Sequence, residues 1–337
     1  MSWLHVYENF DDLNEAEKIQ LFEAIKDALF PEPRLKVEKV AEEVRDSRFS
    51  SGLACVHCGS KAVKRNGKYR HRQRYLCNDC GKTFNDLTAS PMAGTHYPDK
   101  WLKFIECMLE GITLPKIANK LHIHVSTAFY WRHKVLYALR SLGHDDLNGI
   151  VESDETFFLE SHKGRKHVTF RKPRKRGGVA KKRGISKEQV CVLVAMDRNG
   201  DIVSQNAGQG RITAVEIDAV LGTQLAPGSL LCTDSAKNYV AFAKMKGLQH
   251  EVINIPKGMY VRKGIYHIQH VNAYHKRLKK WMERFQGVAT KYLDNYLFWF
   301  RFLERYKDLA PYEAKRSILR DMSKRARGVT VEYLRTV

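Results

Sequence analysis

Between residues 11 and 31 apolar side chains recur at helical spacing (Leu13, Ile19, Leu21, Phe22, Ile25, Leu29) until Pro31 and Pro33 interrupt them. That pattern predicts an amphipathic helix over 11–31. Residues 34–50 are dominated by charge and read as a second short helix or a linker. Residues 98–143 keep a helical period throughout, with Gly111 and Pro115 marking breaks. After Gly149 the period shortens to that of strands. GIVESDETFFLES is one strand candidate; EQVCVLVAMDR (188–198) and IVSQNA, joined by the turn NGD, read as a hairpin. A helix over 213–225, the strand SLLCTD (229–234), a helix over 236–246, the short strand HEVINI (250–255) and a long helix over 270–309 follow.

Strands alternating with helices after an all-helical middle predict an α/β fold with smaller modules in front of it. The expected divisions are an N-terminal helical segment (1–50), a cysteine-rich ribbon (51–90), a helical region (98–145), an α/β core (149–310) and a helical tail (311–337). No internal repeat is evident.

Charge changes the picture. The 337 residues carry 58 Lys and Arg against 37 Asp and Glu, a formal net charge of +21. A surplus of that size speaks about partners rather than fold, and favours a polyanion, most often nucleic acid. It is concentrated in residues 163–187, which hold twelve Lys and Arg, no acid and several glycines. That segment reads as a loop, and its Arg174, Lys175 and Arg176 as phosphate contacts. The alternative is a solvated insertion. No apolar run is long enough to span a bilayer, and the opening MSWLHVYENFDDLNEAEKIQ lacks the basic-then-apolar pattern of a signal peptide. A cytoplasmic protein with no membrane partner is expected. The odd count of seven cysteines argues against a disulfide framework there.

Four of the seven cluster in CVHCGSKAVKRNGKYRHRQRYLCNDC as Cys55, Cys58, Cys77 and Cys80. Two C-x2-C pairs on tight turns can converge four thiolates on one tetrahedral Zn2+, and Gly59 and Gly81 follow where each turn needs a positive φ. Four Cys ligands leave no position for a reactive water, so a structural zinc is expected. Tyr69 suits base stacking, whereas Tyr75 reads as core of the small ribbon.

GITLPKIANKLHIHVSTAFYWRHKVLYAL (111–139) has the layout of a helix-turn-helix. Leu114, Ile117, Ala118 and Leu121 form the inner face of its first helix. Ser126 is the expected cap of the second, whose exposed positions would be Thr127, Arg132, His133 and Lys134, of which Thr127, Arg132 and Lys134 are candidate DNA contacts. Many helical hairpins share this pattern.

Asp154 falls mid-strand in VESDETFF, and Asp234 ends the apolar strand SLLCTD. If the two strands are neighbours, the two carboxylates meet and can hold divalent cations through hard oxygen ligands, which suits in-line displacement at a phosphodiester. The competing reading is that Asp234 merely caps the helix after it. By alternation Glu152 shares the face of Asp154, as an auxiliary ligand, and Glu155 takes the opposite one, exposed or in an ion pair.

The order of ribbon, helix-turn-helix, DET strand, TDSAKNY and HVNAYHKRLKKWMERFQGVATKYLDNYLFWF resembles bacterial insertion-sequence transposases of the ISXO type over roughly residues 50–305. The resemblance implies an RNase H-like core with a DDE-type triad, in which Asp154 and Asp234 are the first two ligands of Mg2+ or Mn2+. It implies DNA partners, element ends and target, and a homo-oligomer working on paired ends. The third position departs from the common pattern: where many such enzymes have Glu, this chain has Asn272, His275 and Lys279 on one helical face. Asn272 or His275 would be the third ligand and Lys279 a DNA phosphate contact; Glu283 is the nearest carboxylate, and His270 falls just outside the helix. Loss of one acid keeps open a non-catalytic zinc-ribbon DNA-binding protein or a decayed transposase remnant. The aromatic run YLDNYLFWFRF (292–302) reads as core packing or subunit contact.

Overall fold

The computed structural model describes residues 3–29, 45–69, 72–143, 146–165, 167–172, 174, 178–323 and 330–336. At the N-terminus the apolar period yields two helices, α1 (Trp3–Glu8) and α2 (Glu15–Leu29), rather than one. Asn14 and Glu17 start α2 with a reciprocal capping box, each side chain accepting from the other's backbone N–H at 3.0 Å. The stripe Ile19, Phe22, Ile25 and Leu29 faces solvent. Most of the charged segment 34–50 lies outside the described residues, as does the link from α2 to the ribbon.

The ribbon is a three-stranded antiparallel sheet of β1 (Val63–Tyr69), β2 (Arg72–Cys77) and β3 (Thr83–Asn85). Its core is small: Cys55, Tyr75, Cys77 and Phe84, with Phe49, Leu53 and Val63 against them. Tyr75 packs on Phe84 with ring centroids 5.4 Å apart, as its place beside Cys77 leads one to expect. So little apolar area cannot hold a sheet by itself, and metal or disulfide cross-links are the usual remedy at this size.

Three helices follow: α3 (Trp101–Leu109), α4 (Leu114–Leu121) and α5 (Val125–Arg140). Trp101 stacks on Trp131 at 4.6 Å, joining α3 to α5. His122 closes α4 in the left-handed conformation at φ 47°. The cap of α5 is His124 rather than Ser126: its Nδ1 accepts the backbone N–H of Ser126 at 3.2 Å. The second helix is also less free than its pattern suggests. Ala128, Trp131, Arg132, His133, Val135, Leu136, Ala138 and Leu139 are all buried, because α5 packs against α4 on one side and, on others, against α9 (Leu293–Tyr306) and α10 (Pro311–Ser323).

The main sheet contains β4 (Ile150–Leu159), β5 (Gln189–Asp197), β6 (Ile202–Gln209), β7 (Leu230–Thr233) and β8 (Gln249–Val252) in the order β6-β5-β4-β7-β8. β4, β5 and β6 run antiparallel in sequence; β7 lies parallel to β4, and β8 to β7. A three-strand meander extended on its first strand by two parallel crossovers is the RNase H-like arrangement. Both faces are covered, which is why β5 is apolar without alternation. Val151, Cys191, Leu193, Ala195 and Val203 face α6 (Ala214–Leu221) and α7 (Lys237–Lys246), with Ile217, Tyr239 and Phe242 opposite them. Val190, Val192, Val194 and Met196 face the other layer, α8 (Gln269–Glu283) and α9, through Val271, Tyr274, Leu278 and Leu297.

The long helix expected over 270–309 is two helices. The chain turns at Gln286 (φ 52°) and Gly287 (φ 87°), and Lys163 holds the turn by donating to the carbonyls of Phe285 and Gly287, both at 2.8 Å. α9 is core: Tyr296, Leu297, Phe298, Trp299, Phe300 and Phe302 are buried. A last helix, α11 (Val331–Thr336), packs on α5. No helix among the described residues is long and apolar enough to cross a membrane.

Candidate active site

Strand pairing brings the two aspartates to one place. β4 and β7 are parallel with Glu152 beside Cys232, so extending the register by two residues sets Asp154 beside Asp234. Asp234 lies one residue past β7, at the C-terminal edge where parallel strands of α/β sheets present their functional groups. It does not cap α7, whose N-cap is Ala236; its Oδ1 accepts the backbone N–H of Ala236 at 2.9 Å, which fixes the carboxylate at the strand end.

The electrostatics record the convergence. Burial pushes Asp154 up to about 7; a backbone N–H bond opposes that, the charges of Glu155 and Asp234 add to it, and Lys279 opposes it. Glu155 is also raised, by burial first and then by Asp234, against a hydrogen bond from Asn238 at 2.8 Å. Glu155 is therefore neither freely exposed nor ion-paired. It faces α7 and adds a third carboxylate to the field around Asp234. Its signal in the sequence, the acid after Asp154, was legible, but its partner Asn238 lies across the sheet edge in a different helix.

From the opposite layer α8 contributes His275. Its Nδ1 is 3.8 Å from Asp154 Oδ2, it is buried, and its Nε2 has no hydrogen-bond partner among the described residues. Burial, and then Lys279, lower His275 to about 4, so the ring is neutral with a lone pair to offer at neutral pH. Asn272, one turn earlier, and Lys279, one turn later, are both exposed on the edge of the face that His275 buries. A half-buried carboxylate held near neutral pKa, a second carboxylate beside it and a neutral imidazole 3.8 Å from the first suit a divalent cation.

Glu152 does something else. Though on the face of Asp154, its side chain is 1% exposed and turned to the start of α8. Its Oε2 accepts the backbone N–H groups of His270 (2.9 Å) and Val271 (3.3 Å), and its Oε1 meets Arg198 and His270, each at 2.7 Å, and His267 at 3.2 Å. A carboxylate from the strand thus satisfies the orphan N–H groups of α8 and faces its positive end. His270 is inside the helix as its second residue, not outside it. Glu152, His267 and His270 have ligand atoms within 4.8 Å of one another, but the Arg198 guanidinium already fills the space between them. Spacing alone does not reveal this cluster, because Arg198 comes from the hairpin turn after β5.

The cysteines converge as expected. Cys55, Cys58, Cys77 and Cys80 hold their sulfurs within 4.8 Å of one another, with Cys55–Cys80 and Cys58–Cys77 each at 3.6 Å and no disulfide. Sulfurs about 2.3 Å from a tetrahedral zinc lie at about that separation. Gly59 (φ 79°) and Gly81 (φ 66°) form the two turns, their N–H groups donating to the carbonyls of Cys55 and Cys77. Backbone N–H groups of Cys80 and Asp79 pull the Cys77 thiol down to about 7, while burial and the neighbouring thiols push Cys58 and Cys80 up, so it is the convergence of the four sulfurs that marks the site.

The candidate DNA contacts divide. Arg132 is 1% exposed: Nη2 donates to the carbonyl of Ile112 at 2.5 Å, and the guanidinium lies 4.8 Å from the centre of the Trp299 ring. It cannot reach DNA, because the face of α5 that carries it is buried against α9. His133 is buried too, between Phe129 and Tyr292. Thr127 and Lys134 are half-buried beside a cleft of about 210 Å³ that Tyr97 and Tyr130 also line. Arg174 donates to the carbonyl of Glu160, while Lys175 and Arg176 lie outside the described residues. Lys279 stands exposed beside Asp154, and Tyr69 at the tip of β1 is exposed.

Comparison with known proteins accords with this geometry. The ISXO2-like transposase domain family matches residues 146–304. An uncharacterized protein in the transposable element ISH50 of Halobacterium salinarum is 25% identical over 266 residues, covering 77% of this chain and 87% of that one. Among solved structures, a pre-cleavage Mos1 transpososome aligns with 67% of this chain and 78% of its own at 11% identity and a TM-score of 0.23. The Mos1 strand transfer complex aligns with 69% and 79% at 13% identity and a TM-score of 0.20. Those two superpositions are too loose to bear on the site. Residues 146–304, which hold the whole five-stranded sheet, Asp154, Asp234 and most of the α8–α9 layer, thus resemble the ISXO2-like transposase domain, and the matches support an insertion-sequence transposase.

Proposed function

We propose that this transposase binds the ends of its element and cuts and joins DNA there with divalent metal held by Asp154 and Asp234. The observation that carries the reading is the β4–β7 register, which puts Asp154 beside Asp234, with the His275 imidazole 3.8 Å from Asp154. Mg2+ or Mn2+ bound there would polarise the phosphodiester and lower the pKa of the attacking hydroxyl.

The chain's own residues do the rest. Asp154 would give up its proton on binding a cation, because burial first, and then the charges of Glu155 and Asp234, hold it near 7, and a cation would relieve both. His275 stays neutral and offers the third ligand atom from α8, with Asn272 the alternative one turn nearer solvent. The Glu152 anchor keeps α8 in register with β4, so that His275 stays within reach of Asp154. Lys279 meets a DNA phosphate at the rim. The ribbon, pinned by zinc on its four cysteines, adds a basic hairpin with Tyr69 at its tip, and the net charge of +21 supplies salt-dependent affinity for the duplex.

The test is a strand-cleavage and strand-joining assay on DNA bearing the element's ends. Activity that needs Mg2+ or Mn2+ and is lost in Asp154→Ala and in Asp234→Ala supports the reading. Full binding with no metal-dependent chemistry would instead favour a DNA-binding remnant, the reading that the missing third acid raises.

A further inference from the structure

We propose that the hairpin over residues 258–266 is a wedge that stacks on an unpaired nucleobase of the DNA at the active site. The inference rests on the DNA-processing function proposed above and names one element of its substrate contact.

Between β8 and α8 the chain leaves the sheet, turns at Gly258 (φ 76°), and closes a tight turn in which Arg262 and Tyr266 exchange backbone hydrogen bonds at 2.8 and 2.9 Å. Met259, Tyr260, Val261 and Ile265 are 40%, 61%, 42% and 54% exposed. Apolar side chains gathered at a surface tip are costly to leave in water and mark a contact. Tyr260 makes no side-chain hydrogen bond or ring contact with the described residues.

Two further observations choose the partner. The first is charge. Lys257, Arg262 and Lys263 flank the apolar tip, and Glu251 props Arg262 (3.1 Å) and Lys263 (2.6 Å) from beneath. An aromatic set among fixed cations suits a base stacked on its ring with phosphates on either side, and repels a basic protein surface such as a second copy of this chain. The second is position. Arg198 donates through Nη2 to the carbonyl of Ile265 at 3.0 Å and through Nη1 to Glu152 at 2.7 Å. One guanidinium thus ties the hairpin to β4, two residues from Asp154. A base displaced from the duplex beside the scissile phosphate would meet this tip, which is anchored at its base and bare at its end.

The experiment uses the full chain and a sequence-neutral duplex carrying 2-aminopurine, either fully paired or placed in a short unpaired bubble. Wild type should bind the bubble more tightly than the paired duplex and change the probe's fluorescence. Tyr260→Ala should lose that preference, by on the order of tenfold, and the fluorescence change, while binding the paired duplex as before. Tyr260→Phe should retain both, and Met259→Ala should weaken them. The proposal is overturned if wild type shows no preference, if Tyr260→Ala keeps it, or if Tyr260→Ala weakens both DNAs equally. It is equally overturned if Tyr260→Ala alters the sedimentation of the DNA-free protein, which would make the tip a contact between copies. Metal-dependent cleavage with its Asp154→Ala control is a separate readout, so failure of the wedge leaves the transposase reading intact.

Discussion

His275 Nδ1 stands 3.8 Å from Asp154 Oδ2, across the boundary between α8 and β4. Two layers of the core meet at that pair, and the same burial acts on both groups in opposite senses. It favours the uncharged form of each, raising the acid to about 7 and lowering the base to about 4. A carboxylate and an imidazole this close would ordinarily form an ion pair; here neither is charged near pH 6, and a divalent cation is what would bring out both as ligands.

Metal affinity should therefore depend on pH. Below about 7 a cation must displace the proton of Asp154, so Mn2+ affinity measured by calorimetry should fall about tenfold for each pH unit below 7 and level off above it. Asp154→Asn should abolish the dependence together with most of the binding. For the metal-free fold the sign is reversed. An acid whose folded pKa is raised from 3.8 to about 7 loses stabilising influence as pH climbs through that window, because the unfolded chain ionises first.

His133 gives a prediction of the other sign. It is 1% exposed, wedged between Phe129 and Tyr292, and lowered by burial to about 3. Its neutral form stabilises the α5–α9 contact fully above its unfolded value near 6.5. That contribution drains away as pH falls from about 6.5 toward 3, at up to about 1.4 kcal/mol per pH unit. In urea unfolding, His133→Phe should lose about 1 kcal/mol at pH 7 with the Asn295 hydrogen bond. It should show a shallower decline than wild type between pH 6.5 and 4; an unchanged slope would contradict the assignment.

Arg132 should behave as a structural residue. Arg132→Ala removes a charged donor from the Ile112 carbonyl and a guanidinium from the Trp299 ring, so unfolding free energy should drop by about 2–3 kcal/mol. The salt dependence of DNA binding should not change. A reduced salt slope with unchanged stability would restore the phosphate-contact reading.

The ribbon should carry one zinc per chain, lost in Cys77→Ser by elemental analysis. Removing the metal should unfold the ribbon, whose small apolar core is built on Cys55, Tyr75, Cys77 and Phe84. Circular dichroism of the helices should be largely retained, since their core does not draw on it.

Some of this was legible in the chain and some was not, for reasons that particular residues make plain. The cysteine pairs and the β5–β6 hairpin are local patterns, and the period of 2 or of C-x2-C carries them directly. The approach of Asp154 to Asp234 is non-local, yet an acid inside one apolar strand and another at the end of a second suggest it. Arg132 misled because helical period marks which residues share a face, not whether a second layer covers that face; α9 does. Ser126 lost the cap to His124, two positions earlier, since an imidazole can accept as a hydroxyl does. The long helix over 270–309 broke where Gln286 and Gly287 take positive φ, and a lone Gly in a helical pattern is a weak stop signal. The face of Glu152 suggests a metal ligand, whereas its partners Arg198, His267 and His270 come from two other segments that no periodicity joins.

The central claim is that Asp154 and Asp234 hold one cation between them, and Mn2+ paramagnetic resonance on the full-length protein tests it most directly. Free Mn2+ gives a sharp six-line spectrum that bound Mn2+ loses. Titration should show one site in wild type that is weakened at least tenfold in Asp154→Asn and again in Asp234→Asn. Two single variants that each leave Mn2+ binding intact, or that each remove one of two separate sites, would show that the aspartates do not share an ion.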